Sequence, residues 1–276
     1  MIQELNIWIE RAEATWLDAL YNHARALYQN SSLPSHDHTH HLRVWNLCKF
    51  LLEEISTFNS KLDYTLVEGA LIAALFHDLG MASSTREDHG MAGSEICRSW
   101  FQKNGKKEPA RFGEILKAIK LHDRKESQIY DSFRPEYTPE ILGILFVADD
   151  LEALGTIGIY RYTEIYLQRG IPLEELGQRV LKNAKTRFEN LSKGCRLCAR
   201  VQERYQPQYE TLRHFFKEYT LQVQRSSAPE KEKSGPLGLI NYIRSCGLNR
   251  SNPDLRPPEL KDYFIKLDYE LDQARL

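Results

Sequence analysis

The 276-residue sequence predicts an all-α fold, a helical bundle with a C-terminal helical extension, from two observations. Apolar residues recur at helical spacing almost throughout, and strand-like alternation is nearly absent. With 42% hydrophobic and 11% aromatic residues, such a chain can bury a large core.

Taken in order, the periodicity opens with Leu5, Trp8, Ile9, Ala12, Trp16 and Leu20, which predicts a helix over about 3–29. Val44, Leu47, Cys48, Leu51, Ile55 and Phe58 predict the next, over about 38–58. Further helices are expected at about 62–79, 89–104, 109–122, 139–154, 158–168, 172–190 and 195–222. Gly80 reads as a glycine closing the helix that ends at Leu79, and Pro109, Pro139 and Pro172 sit where a first helical turn accepts proline. Pro207 falls inside the last of these helices and is expected to break or kink it.

The polar stretch from Arg225 to Pro236 reads as a linker, dividing a main domain at 1–224 from a small helical appendage at 237–276. Leu239, Ile240, Ile243, Phe264 and Leu267 suffice for two short helices there but not for an independent core, so the appendage should dock on the main domain or on a second subunit, as in a homodimer.

Charge excludes one class of partner. Lys+Arg 37 against Asp+Glu 38 leaves a formal charge of -1, with no basic field for binding long nucleic acid without sequence preference. The first residues lack the apolar run of a secretory signal, and the Ala70–Phe76 run is too short to cross a bilayer, so a soluble, cytoplasmic chain without membrane partners is expected. Five cysteines do not suggest a disulfide framework, and Cys195 and Cys198 read as ordinary helix residues because no second pair occurs at zinc-finger spacing.

Seven of the nine histidines fall between His36 and His122. His77-Asp78 ends the most apolar segment of the chain. A buried imidazole beside a buried carboxylate must be hydrogen-bonded or bind a cation. Alone, the dipeptide reads first as a pair that caps helix and loop groups, since neighbours on a helix point about 100° apart. The wider set moves the reading to a metal: His40 opens an amphipathic helix, and Asp149 emerges after the apolar face Ile141–Val147. Two imidazoles and two carboxylates suit a divalent ion, Mn, Fe, Co, Ni or Zn, with Mg admitted where phosphate oxygens complete the shell.

The segments Ser35-His36-Asp37-His38-Thr39-His40-His41-Leu42-Arg43-Val44, Ala74-Leu75-Phe76-His77-Asp78-Leu79-Gly80 and Ala148-Asp149-Asp150-Leu151-Glu152-Ala153-Leu154-Gly155 resemble the motifs of the HD-domain superfamily of metal-dependent phosphohydrolases. Ile157-Gly158-Ile159-Tyr160-Arg161 is similar to its small bacterial subgroup thought to act on nucleotides, and the resemblance covers about 15–222. It implies an HD-domain helical bundle whose metal ligands are His40, His77, Asp78 and Asp149, acting on a small phosphorylated substrate such as a nucleotide. Position 150 is Asp where the similar proteins often carry a basic residue, and the Met81–Asp88 loop is a further departure.

Around that set, Asp78 or Asp149 is assigned to orient water, and His89 or His122 to protonate the leaving oxygen. In larger relatives such histidines bind a second metal or the substrate phosphate. His122 reads equally as a helix C-terminal histidine favoured by the dipole, and His89 as a first-turn surface residue. Arg43, one turn from His40, and Arg86 in the loop after the second motif are candidates for the phosphate, although Arg43 could instead pair with Glu152 or Asp150. His122-Asp123 lacks the apolar approach of residues 70–76 and is set aside as the core pair, and His23 and His214 receive no role. Two other outcomes stay open: a di-iron oxygenase using His89 and His122, and a non-catalytic nucleotide-sensing or partner-binding module.

Overall fold

The computed structural model describes residues 2–29, 33–83, 89–124, 133, 137–191, 196–246 and 256–273. Among these residues there are eleven α-helices, some short 3-10 turns and no strand: α1 Ile2–Tyr28, α2 His38–Ser56, α3 Tyr64–Phe76, α4 His89–Lys103, α5 Phe112–Leu121, α6 Ile141–Glu152, α7 Gly155–Gln168, α8 Leu173–Leu191, α9 Arg196–Arg225, α10 Gly235–Cys246 and α11 Lys261–Gln273. The all-α reading therefore holds.

The chain divides into two compact units, Met1–Leu151 with Asn190–Glu203, and Glu152–Glu189 with Arg204–Leu276. In the first unit, α3 is central because it is apolar on every side. Every residue from Leu66 to Phe76 is buried. Helix α1 covers it with one stripe, Leu5, Ile9, Ala12, Trp16, Leu20, Ala24 and Tyr28, whose steps of three and four keep a single face inward. Helices α2 and α5 pack against other sides of α3, and α4 lies on α5. The stretch Tyr64–Ala82 is long and apolar enough to cross a membrane, yet 89% of its most apolar window is buried inside the protein, as in a core helix.

Two helix starts and one helix end position the histidines. The Asp63 carboxylate accepts from the Leu66 N–H at 2.8 Å and starts α3, while Asp37 accepts from the Thr39 and His40 N–H groups and starts α2. Helix α3 ends at Phe76, three residues short of the sequence expectation. Gly80 is not its left-handed terminator: the positive-φ glycines are Gly105, Gly155, Gly170 and Gly235, and Gly80 lies in the 3-10 turn Leu79–Ala82.

The second unit has its own core. Ile157 and Tyr160 of α7, Leu176 and Val180 of α8, and Leu212 and Phe216 of α9 pack with Leu237 and Ile240 of α10 and Phe264 and Leu267 of α11. Helices α10 and α11 thus share a core with α7–α9, and the boundary between units falls elsewhere than at Arg225–Pro236. That stretch is fastened, since Asn241 Nδ2 donates to the carbonyls of Pro229 (2.7 Å) and Glu232 (3.0 Å). Helix α9 runs unbroken through Pro207, which corrects the expected break. A proline removes one N–H and disfavours the preceding turn, but a 30-residue helix retains its bonds on either side.

Candidate metal centre

The end of α3 builds the centre. His77 keeps helical angles, and its N–H still bonds to the Ala73 carbonyl. Asp78 leaves the helix at φ -101, ψ 6, so the two side chains are freed from helical spacing and converge. The backbone is held from behind by Tyr28, whose hydroxyl donates to the Asp78 carbonyl at 2.7 Å. His40 reaches the same point from the first turn of α2. Its Nε2 is 3.1 Å from His77 Nε2 and 3.3 Å from Asp78 Oδ2. Asp149 of α6 comes within 3.9 Å of His40 Nε2 and 4.0 Å of His77 Nε2. The ligand atoms of His40, His77, Asp78 and Asp149 all lie within 4.8 Å of one another, forming one buried group.

A second group shares Asp78. Its Oδ1 lies 3.0 Å from His122 Nε2 and 3.2 Å from His89 Nε2, with 3.3 Å between the two imidazoles. His122 comes directly after the last residue of α5, and His89 opens α4. Both are buried, which removes the reading of His89 as a surface residue. Glycines permit the approach. A Cβ on Gly80 would lie 2.1 Å from the His89 carbonyl oxygen, and one on Gly90 would lie 2.9 Å from the carbonyl oxygens of Ile119 and Lys120. Gly80 therefore serves close packing rather than helix termination.

The donor set fits a cation. His77 Nδ1–H donates to the Ala74 carbonyl at 2.8 Å, and His122 Nδ1–H donates to the Ile119 carbonyl at 2.7 Å. As a neutral ring, His77 then presents a bare Nε2 lone pair to Asp78 Oδ2, at 3.5 Å. Lone pairs facing lone pairs in a buried site repel unless positive charge lies between them. Burial, only partly offset by the Asp78 charge, holds the His77 imidazole down at about 3. Burial alone would raise the Asp78 carboxyl, but the imidazoles around it, His77 first and then His122, His40 and His89, hold it well below the usual range. His122 goes the other way: burial lowers it, and the bond and charge of Asp78 win and raise it. Asp78 thus remains an anion bordered by imidazoles.

Arg43 is buried, and its Nη1 donates to Thr39 Oγ1 at 2.9 Å, while Thr39 Oγ1 donates to Asp37 Oδ1 at 2.5 Å. Glu152, considered as its partner, forms a buried ion pair with Arg161 in the second unit. Arg86 lies outside the described residues. His36 and His41 are buried against His40, with ring centroids at 5.4 Å in each case, whereas His38 stacks edgewise on Tyr21. His41 Nδ1–H donates to the same Ala74 carbonyl that holds His77. Tyr28 was not legible as a site residue, because along α1 it reads only as the last member of an apolar stripe.

Among family models, that described as HD domain matches residues 38–154, a span containing both histidine groups, Asp78 and Asp149. No curated protein and no solved structure matches the chain.

Proposed function

We propose, from the match of residues 38–154 to the HD domain, that the chain is a metal-dependent hydrolase of a phosphoester or phosphoanhydride in a small phosphorylated substrate, a nucleotide being the expected class. The observation that supports it is the convergence of His40, His77, Asp78 and Asp149 in one buried group, into which His77 presents a bare nitrogen. When bound there, a divalent ion lowers the pKa of a water ligand and offsets charge on phosphoryl oxygens.

The chain's own residues do the rest. Ala74 fixes the His77 tautomer through its carbonyl, and Tyr28 fixes the turn that aims Asp78. Asp149, the more exposed carboxylate of the first group, is suited to orient an attacking water, with Asp78 committed to both groups. His89 and His122, assigned from the sequence as proton donors to the leaving oxygen, close on Asp78 Oδ1, an arrangement that supports a second cation-holding role. Arg43 and Arg86 remain the proposed phosphate contacts, and a cytoplasmic address and a homodimer remain part of the proposal.

The test is release of phosphate or pyrophosphate from nucleotides and phosphomonoesters by the purified chain supplied with Mn, Co, Ni or Mg. Turnover by any of them supports the reading, and silence across the panel removes it. The second group favours one rival, an oxygenase holding two irons. Two irons per chain with a mixed-valence signal would support that rival, and a bound Mn or Mg with phosphate release would oppose it. Thermal stabilisation by a nucleotide without product would point to a sensing module.

A further inference from the structure

Glu68 is a carboxylate buried in α3, 8% exposed, far along that helix from His77. Two neutral donors reach it, Trp16 Nε1–H at 2.8 Å and the Tyr64 hydroxyl at 3.0 Å, and both end on the same oxygen, Oε1. No cationic side chain pairs with it among the described residues. Buried carboxylates are ordinarily paired with a cation, because neutral donors offset only part of the cost of removing the charge from water.

Glu68 also lines a cavity of about 460 Å³, together with Trp16, Arg11, Lys106, Lys107 and Glu108. That volume lies within the range of small-molecule sites, roughly 300–1,000 Å³. Arg11 lies over the Tyr64 ring at 4.1 Å, and Lys106 and Lys107 are exposed. The cavity thus holds a carboxylate bonded only to two neutral aromatic side chains, and three cations against one further carboxylate in the rest of its lining. A simple anion would meet Glu68 unfavourably. A divalent metal would find too few oxygens for its shell. A molecule with an ammonium at one end and an anionic group at the other complements both parts.

We propose that this cavity binds a small zwitterion of the α-amino-acid class, its ammonium on Glu68 Oε2 and its carboxylate among Arg11, Lys106 and Lys107. The site is separate from the metal centre, and its occupancy does not depend on the hydrolase reading.

Titration calorimetry of the full chain with each common L-amino acid in turn, at millimolar concentration, tests it. Saturable one-to-one binding of at least one is expected, with the matching amine-free acid, succinate for aspartate for example, giving none. Glu68→Gln keeps an acceptor for Trp16 and Tyr64 and should retain the parent melting temperature while weakening binding at least about tenfold. The surface pair Lys106→Glu with Lys107→Glu, which removes no buried contact, should weaken it similarly. No saturable heat from any amino acid, equal binding by Glu68→Gln, or indifference to the double charge reversal overturns the proposal.

Discussion

Asp78 Oδ1 stands 3.0 Å from His122 Nε2, while Oδ2 of the same carboxylate stands 3.3 Å from His40 Nε2, so one side chain joins two sets of histidines. Replacing it should disturb both at once. Asp78→Ala is expected to lower metal affinity at least about 100-fold, the upper end of what losing even an outer-shell partner costs. Metal content by mass spectrometry and phosphate release should fall together. Chelation of the parent should lower its melting temperature, because an ion at 100 times its dissociation constant stabilises by about 2.7 kcal/mol. Parent-level metal content in Asp78→Ala would contradict the shared-ligand arrangement.

Tyr28 acts on the same turn through its main chain. Tyr28→Phe deletes only the hydroxyl that donates to the Asp78 carbonyl. It should cost about 1 kcal/mol of stability and weaken metal binding about tenfold. Denaturant melts and a metal titration on the variant would show whether both effects occur.

Gly90 sets how closely α4 approaches the end of α5. A methyl there would meet two carbonyl oxygens at 2.9 Å, and main-chain atoms cannot swing aside as a flexible side chain would. Gly90→Ala should destabilise by roughly 1–3 kcal/mol and separate His89 from His122. Unchanged stability together with unchanged metal stoichiometry would show that the helices can move apart freely.

The cysteines should differ sharply in reactivity. Burial pushes the Cys48 and Cys97 thiols up, Asp149 adding to the effect at Cys48, whereas Cys246 is exposed. In a chain carrying Cys195→Ser and Cys198→Ser, a thiol reagent at mildly alkaline pH should modify one cysteine rapidly. The other two should react only on unfolding. Rapid modification of all three would contradict the packing around α2 and α4.

At the far end of the chain, Glu270 of α11 accepts from the N–H groups of Thr156 (3.0 Å) and Ile157 (2.9 Å) at the start of α7. These amides open a helix and have no partner within it. Glu270→Ala should cost about 0.5–2 kcal/mol, in the range of a lost helix cap. Thermal melts would detect it, and Glu270→Gln should recover part of the loss by keeping both acceptor oxygen and reach.

The sequence by itself determined that the fold is helical and which four residues to examine. The spacing of Leu5, Ile9, Ala12, Trp16 and Leu20 requires one buried face, and the Leu66–Phe76 run requires a central helix, whatever the remaining chain does. His77-Asp78 at the end of that run had to find partners, because ionisable groups are costly in a core. Tertiary structure alone decided that Asp78 leaves the helix and serves two groups, that Tyr28 holds its backbone, and that Gly80 and Gly90 admit α4. It likewise placed α10 and α11 in a shared core with α7–α9. Periodicity along one helix says which face is buried, and close approaches between helices depend on main-chain atoms whose positions no local pattern records.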